Sequence, residues 1–106
     1  MREKPMLVFI NRFTVSGDPL EFERAFAETA AHLARQPGFI RYRLIRSTQD
    51  PHSYANVAEW ETAAALREAL RGPEFDDHAR RLRELARSEP QFYEVVTETD
   101  AIRSRR

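Results

Sequence analysis

Cysteine is absent from this 106-residue sequence, which excludes disulfides, a thiolate nucleophile and zinc-finger spacing. A surplus of one charge is also missing: 17 lysine and arginine residues balance 17 aspartates and glutamates. Without a basic excess the chain has no electrostatic footprint for nucleic acid or an anionic membrane. Long apolar runs are lacking as well. The opening MREKPMLVFINRF is broken by Asn11 and Arg12, too soon for a signal-peptide core, and nothing approaches the ~20 residues of a membrane span. No HxxxH or carboxylate cluster offers a metal site. These absences leave one cytoplasmic domain over residues 1–99, with a basic, frayed tail at 100–106. A chain this short buries only about two-thirds of its unfolded surface, so association with a second copy is a natural way to complete a core.

What the sequence does contain is alternation. In Ser53–Glu61, SYANVAEWE, the residues Tyr54, Asn56, Ala58 and Trp60 share one side of an extended strand, and Ser53, Ala55, Val57 and Glu59 share the other. Asparagine is disfavoured in strands, so Asn56 needs a reason. A carboxamide beside an indole N–H offers directional hydrogen bonds in an apolar setting, which suits a planar aromatic ligand with a few oxygens. A buried polar pair satisfied by backbone is the plainer alternative. Pro5–Val15 is a second strand, with Leu7, Phe9, Asn11, Phe13 and Val15 on one face and Met6, Val8 and Ile10 on the other. Asn11 is again a carboxamide among aromatics. Phe39–Thr48 forms a further strand, with Ile40, Tyr42, Leu44 and Arg46 on one side and Phe39, Arg41, Arg43 and Ile45 on the other. The turn Gln49-Asp50-Pro51-His52 pairs it with Ser53–Glu61 as an antiparallel hairpin. Gln91–Thr99 reads as the last strand, after a break at Ser88-Glu89-Pro90.

Between the strands the period changes to helical. Asp18 is the N-cap of a helix with Pro19 at its first position and Glu21 placed for a capping box. Its apolar stripe is Phe22, Ala25, Phe26, Thr29, Ala30 and Leu33, and it stops before Pro37-Gly38. His32 falls beside Leu33, off the stripe, and is assigned to the surface. Thr62 caps Ala63–Arg71, with Leu66, Ala69 and Leu70 inward. Gly72-Pro73 starts another helix, in which Phe75, His78, Leu82 and Leu85 share one face. His78 is thereby aimed at the sheet, either as a satisfied core residue or as a base with a pKa near neutrality.

The order strand, helix, strand, strand, helix pair, strand is that of the ferredoxin-like split βαβ unit, an α+β fold with a four-stranded antiparallel sheet. Its helices cover one sheet face. Covering the other with a second copy gives a homodimer.

The residues resemble the antibiotic biosynthesis monooxygenase domains of the dimeric α+β barrel superfamily, over about Leu7 to Glu94. The marks are Asn11, Pro37-Gly38-Phe39, Asn56-Val57-Ala58-Glu59-Trp60, and Gly72-Pro73-Glu74-Phe75 followed by His78. Arg46-Ser47, Asp50-Pro51 and Ser88-Glu89-Pro90 are most similar to the tetracenomycin-type anthrone oxygenases of aromatic polyketide pathways. The resemblance implies a homodimeric, cofactor-independent oxygenase that turns an anthrone-like polyketide into a quinone with dioxygen as co-substrate. It implies catalytic roles for Asn56, Trp60 and Asn11; His78, as the inward-facing group able to titrate near neutrality, is the candidate base from the residues themselves. Phe9, Phe13, Tyr54, Leu66, Phe75 and Leu82 are assigned to the walls around the substrate. A tyrosine used by an actinorhodin-type relative falls at Leu66, which puts a tyrosine-dependent proton path in doubt. The haem-degrading branch implies instead a first-strand asparagine, a helical tryptophan and a histidine ligand. Asn11 and His78 match, but Ala69 stands at the tryptophan position. A non-catalytic dimeric binding domain and a polyketide cyclase are further readings, because fold alone does not settle function.

Overall fold

The computed structural model describes residues 6–101. Pro5 and the tail from Ile102 to Arg106 lie outside the described residues. The elements are β1 (Leu7–Val15), α1 (Pro19–Ala34), β2 (Phe39–Arg46), β3 (Ser53–Trp60), α2 (Ala63–Ala69), α3 (Pro73–Leu85) and β4 (Ala86–Glu94). The four strands form one antiparallel sheet in the order β2-β3-β1-β4. This is the α+β, ferredoxin-like arrangement expected from the order of elements. No helix among the described residues is long and apolar enough to cross a membrane.

The helix starts obey local chemistry. Leu20 N donates to Asp18 Oδ1 at 3.1 Å, and Ala65 N to Thr62 Oγ1 at 3.0 Å. Glu21 does not close the expected capping box. It takes a hydrogen bond from Arg81 Nη2 at 2.9 Å and ties α1 to α3. α2 ends at Ala69 rather than Arg71, where Gly72, at φ 100°, turns the chain into α3.

Three differences from the sequence reading bear on the site. First, β4 begins at Ala86, directly after α3, and ends at Glu94, so Pro90 lies inside a strand rather than in a break before one. β4 is an outer strand, where a residue without an N–H is tolerated. Second, a bulge between Phe39 and Arg41 moves the pairing of β2 by one residue. Phe39 then lies opposite Trp60, on the same side as Tyr42, Leu44 and Arg46, where Ile40 was expected. β2 also ends at Arg46, two residues short of Thr48. Third, His32 is 7% exposed rather than on the surface, because α3 crosses over its side of α1. Its ring lies 5.6 Å from that of His78.

The helices cover the face that carries Phe9, Asn11, Phe13, Tyr54, Asn56 and Trp60. Its apolar residues form two clusters. One gathers Phe13, Val15, Phe22, Phe26 and Tyr54, with Phe22 fully buried and its ring 5.0–6.1 Å from those of Phe13, Phe26 and Tyr54. The other gathers Leu7, Phe9, Ala58, Trp60, Leu66 and Ala69. The opposite face of the sheet carries Val8, Ile10, Ala55 and Val57, with exposed Ile45 and Tyr93 beside them.

Gly38 lets α2 pack onto the start of β2. It sits at φ 89°, and a Cβ there would lie 2.5 Å from the Cβ of Ala65. Gly38→Ala is expected to destabilise the fold by about 2–4 kcal/mol, from the left-handed backbone and the clash together. In urea unfolding, adding Ala65→Gly should recover the part due to the clash. A neutral Gly38→Ala would show that this approach is not needed.

Candidate functional site

The centre of the sheet is a single row of residues, one from each strand: Leu44, Asn56, Asn11 and Pro90. Asn11 and Asn56 are direct cross-strand partners, and both point toward the helices. This row lies between the two apolar clusters. Asn56 is 6% exposed and Asn11 half-buried, and the Oδ1 atoms of both are buried with no hydrogen-bond partner among the described residues. A buried acceptor left unpaired costs about 1–3 kcal/mol, so two side by side need an explanation. A ligand that carries hydroxyl groups would pair both. The plainer expectation, satisfaction by backbone, is not met.

Asn56 opens onto a cavity of about 20 Å³ whose walls include Phe9, Phe26, Tyr42, Ala58, Trp60 and Leu66. The wall is otherwise aromatic and aliphatic, so Asn56, the Trp60 indole and the Tyr42 hydroxyl are its directional groups. Trp60 is 1% exposed and forms a floor rather than a mouth. Phe39 packs edge-on against it, with the rings 5.3 Å apart and at 82°. Asn11 opens onto a second cavity of about 130 Å³, with Phe13, Leu82, Arg83 and Ser88 around it.

The candidate residues are therefore partly brought together. Asn11, Asn56 and Trp60 share one sheet face, and Phe9 and Leu66 wall the Asn56 cavity. Phe13 and Leu82 border the Asn11 cavity instead. Tyr54 lies beyond both, and Phe75 lines neither. His78 is not aimed at the sheet. It packs on His32 between α1 and α3, and Glu74 Oε2 lies 3.3 Å from His32 Nδ1. The cavity around Asn56 and Trp60 has no carboxylate and no imidazole in its wall. Sequence reading missed Phe26, Phe39 and Tyr42 as wall residues. Phe26 was visible as core, but its contact with the cavity depends on where α1 crosses the sheet, and Phe39 depends on the bulge.

Tyr54 belongs to an open groove of about 970 Å³ between α1 and β2. Its hydroxyl donates to Glu23 Oε2 at 2.5 Å, and Arg46 Nη1 lies 3.4 Å from the same oxygen. Burial, then the bond to Glu23, raises the Tyr54 pKa above the ordinary 10.0, and Arg46 pulls it the other way.

Fold and site together define a small α+β domain with an aromatic-walled, carboxamide-bearing pocket between sheet and helices. The chain belongs to the antibiotic biosynthesis monooxygenase family, which it matches over residues 6–81. It is 52% identical over 83 residues to the deoxynogalonate monooxygenase of Streptomyces nogalater, covering 78% of this chain and 70% of that protein. It is 32% identical over 74 residues to a mycobilin-producing heme oxygenase of Mycobacterium tuberculosis, covering 69% and 70%. Among solved structures it is similar to SnoaB, a cofactor-independent oxygenase from Streptomyces nogalater. That match has a TM-score of 0.85 at 46% identity and covers 91% of this chain and 97% of that one. The chain is thus an enzyme of the monooxygenase class, and the expected oxygenase without a cofactor agrees with this structural relative.

Tyr54 also makes stability depend on pH. A raised pKa means that the folded state holds this proton more tightly than the unfolded state. The stabilisation is fully present below pH 10 and is lost as pH rises through the folded-state pKa. Thermal unfolding followed between pH 9 and 11.5 should show a falling midpoint that is shallower in Tyr54→Phe. Identical slopes in the two proteins would contradict the assignment.

Proposed function

We propose that this enzyme oxidises an anthrone-like aromatic polyketide to a quinone, using dioxygen and no cofactor. The observation that carries the reading is the unpaired Asn56 acceptor beside Trp60 in a mostly apolar pocket, with the unpaired Asn11 acceptor as its direct cross-strand partner. Phenolic hydroxyls of the substrate donate to these oxygens. The Nδ2 hydrogens of the same side chains are the donors for the substrate carbonyl. Removal of a methylene proton concentrates negative charge on that carbonyl oxygen, and donors already in place stabilise it. The carbanion gives one electron to dioxygen, and the radical pair joins as a peroxide on the same carbon. Loss of the second proton with the O–O bond leaves one oxygen in the quinone and the other in water. No carboxylate or imidazole lines the Asn56 cavity, so His78 is read as packing, and the proton passes to water from a substrate made acidic by an anion that the carboxamides hold. The names of the relatives support this substrate class: one is a deoxynogalonate monooxygenase, the other a cofactor-independent oxygenase.

Haem fits the residues less well. His78 is held against His32 rather than presented to the pocket, and Ala69 is packed in the Trp60 cluster. A Soret band on haem titration would reverse that preference.

The test is dioxygen uptake with dithranol, a simple anthrone, using chelator-treated protein without flavin or haem absorbance. Uptake is expected. A requirement for added metal, flavin or haem would contradict the reading. Asn56→Ala should lower the rate of the chemical step by about 10²–10³ with the thermal midpoint preserved. A fully active Asn56→Ala would remove that residue from the chemistry.

The proposal includes a homodimer. Val8, Ile10, Ala55, Val57, Ile45 and Tyr93 make an apolar patch on the face that no helix covers, and a second copy can bury it on a two-fold axis. Light scattering at micromolar concentration should give twice the chain mass. A monomeric mass would contradict this.

A further inference from the structure

We infer that the open groove between α1 and β2 is the outer half of the substrate site, and that Tyr42 is the movable partition between it and the Asn56–Trp60 cavity. The identity of the occupant rests on the oxygenase reading above; the partition itself does not.

The cavity at Asn56 measures about 20 Å³, room for one water molecule. A three-ring anthrone cannot react there unless the cavity joins a larger space. The groove beside it measures about 970 Å³. The two spaces share two wall residues, Phe26 and Tyr42. The Asn11 cavity shares none with the Asn56 cavity.

Of the two shared residues, Phe26 is fixed. It is 5% exposed, with its ring among those of Phe13 and Phe22. Tyr42 is free to move. It is 37% exposed on an outer strand, and its ring touches Phe26 edge-on at 5.8 Å and Phe39 at 6.4 Å. No hydrogen bond within the described residues anchors its hydroxyl. A change of χ1 rotamer swings such a side chain aside, and exposed rotamers exchange in ps–ns.

The groove is graded along β2. Tyr42, Leu44 and Arg46 share its inner side in that order, and Ser47 and Gln49 come next at the rim. Apolar wall near the cavity gives way outside to hydroxyls and to Arg46 paired with Glu23. That gradient fits a flat ring system whose reacting carbon is deep and whose hydroxyl-bearing end faces the Arg46–Glu23 pair.

Trp60 is the single tryptophan and lines the cavity, so its fluorescence reports on access without any turnover. In wild-type protein acrylamide should quench it weakly. Tyr42→Ala, shown to be folded by its thermal midpoint, should raise the quenching constant several-fold, whereas Tyr42→Phe should leave it low. Ala27 is exposed on the groove wall, and Ala27→Phe should raise the apparent Kd for dithranol several-fold while acrylamide quenching stays low. Unchanged quenching in a folded Tyr42→Ala overturns the inference. So does an unaffected Kd in Ala27→Phe, or quenching raised by Leu82→Ala instead. A wild-type protein that consumes no dioxygen with dithranol, yet shows the Tyr42-dependent quenching, refutes the oxygenase reading and supports the partition.

Discussion

Two buried carboxamide oxygens, side by side in the middle of the sheet and without a partner among the described residues, are the constraint on which the site depends. Asn11 and Asn56 face each other across β1 and β3, and Leu44 and Pro90 complete their row. On one side lies the cluster of Phe13, Phe22, Phe26 and Tyr54; on the other lies that of Phe9, Trp60 and Leu66. Filling the row with aliphatic residues would join these clusters into one core and remove the desolvation cost of the two oxygens. The fold carries that cost at the seam between two well-packed halves, and the Asn56 cavity draws its walls from both. Held in place by their surroundings, the two oxygens are set to accept hydrogen bonds from a ligand's hydroxyls.

The rest of the structure keeps the row in register. Antiparallel pairing places the two asparagines opposite each other, and a slip of one residue in either strand would turn its asparagine to the bare face. α1 is fixed over the sheet by Phe22 and by the Glu21–Arg81 bond to α3. The bulge in β2 brings Phe39 against Trp60 and leaves Tyr42 on the same side, at the edge of the cavity. At the far end of the groove, Glu23 gathers Tyr54 and Arg46, which fixes the polar rim.

Much of this was legible in the sequence, and for definite reasons. Period-two alternation put Tyr54, Asn56 and Trp60 on one face and Phe9, Asn11 and Phe13 on one face of another strand. The cap at Asp18 and the breaks at Pro37-Gly38 and Gly72-Pro73 marked the helices, and the order of elements gave the topology. Register was not legible, because nothing local says that Asn11 pairs with Asn56 rather than with a neighbour. Tertiary crossing was not legible either. His32 looks exposed on α1 alone and is buried only because α3 lies over it, and that contact in turn draws His78 away from the sheet. Pro90 misled for a different reason. A proline usually marks a break, but an outer strand accepts one, so β4 begins five residues earlier than its sequence suggests.

The central claim is that Asn11 and Asn56 act on one substrate as a unit. It is tested most directly by a double-mutant cycle on the single-turnover rate with dithranol, comparing Asn11→Ala, Asn56→Ala and the double variant. The expected result is strong non-additivity, with the double variant little slower than the worse single one, as for groups that serve the same developing charge. Additive effects, or single variants as fast as wild type at normal stability, would contradict it.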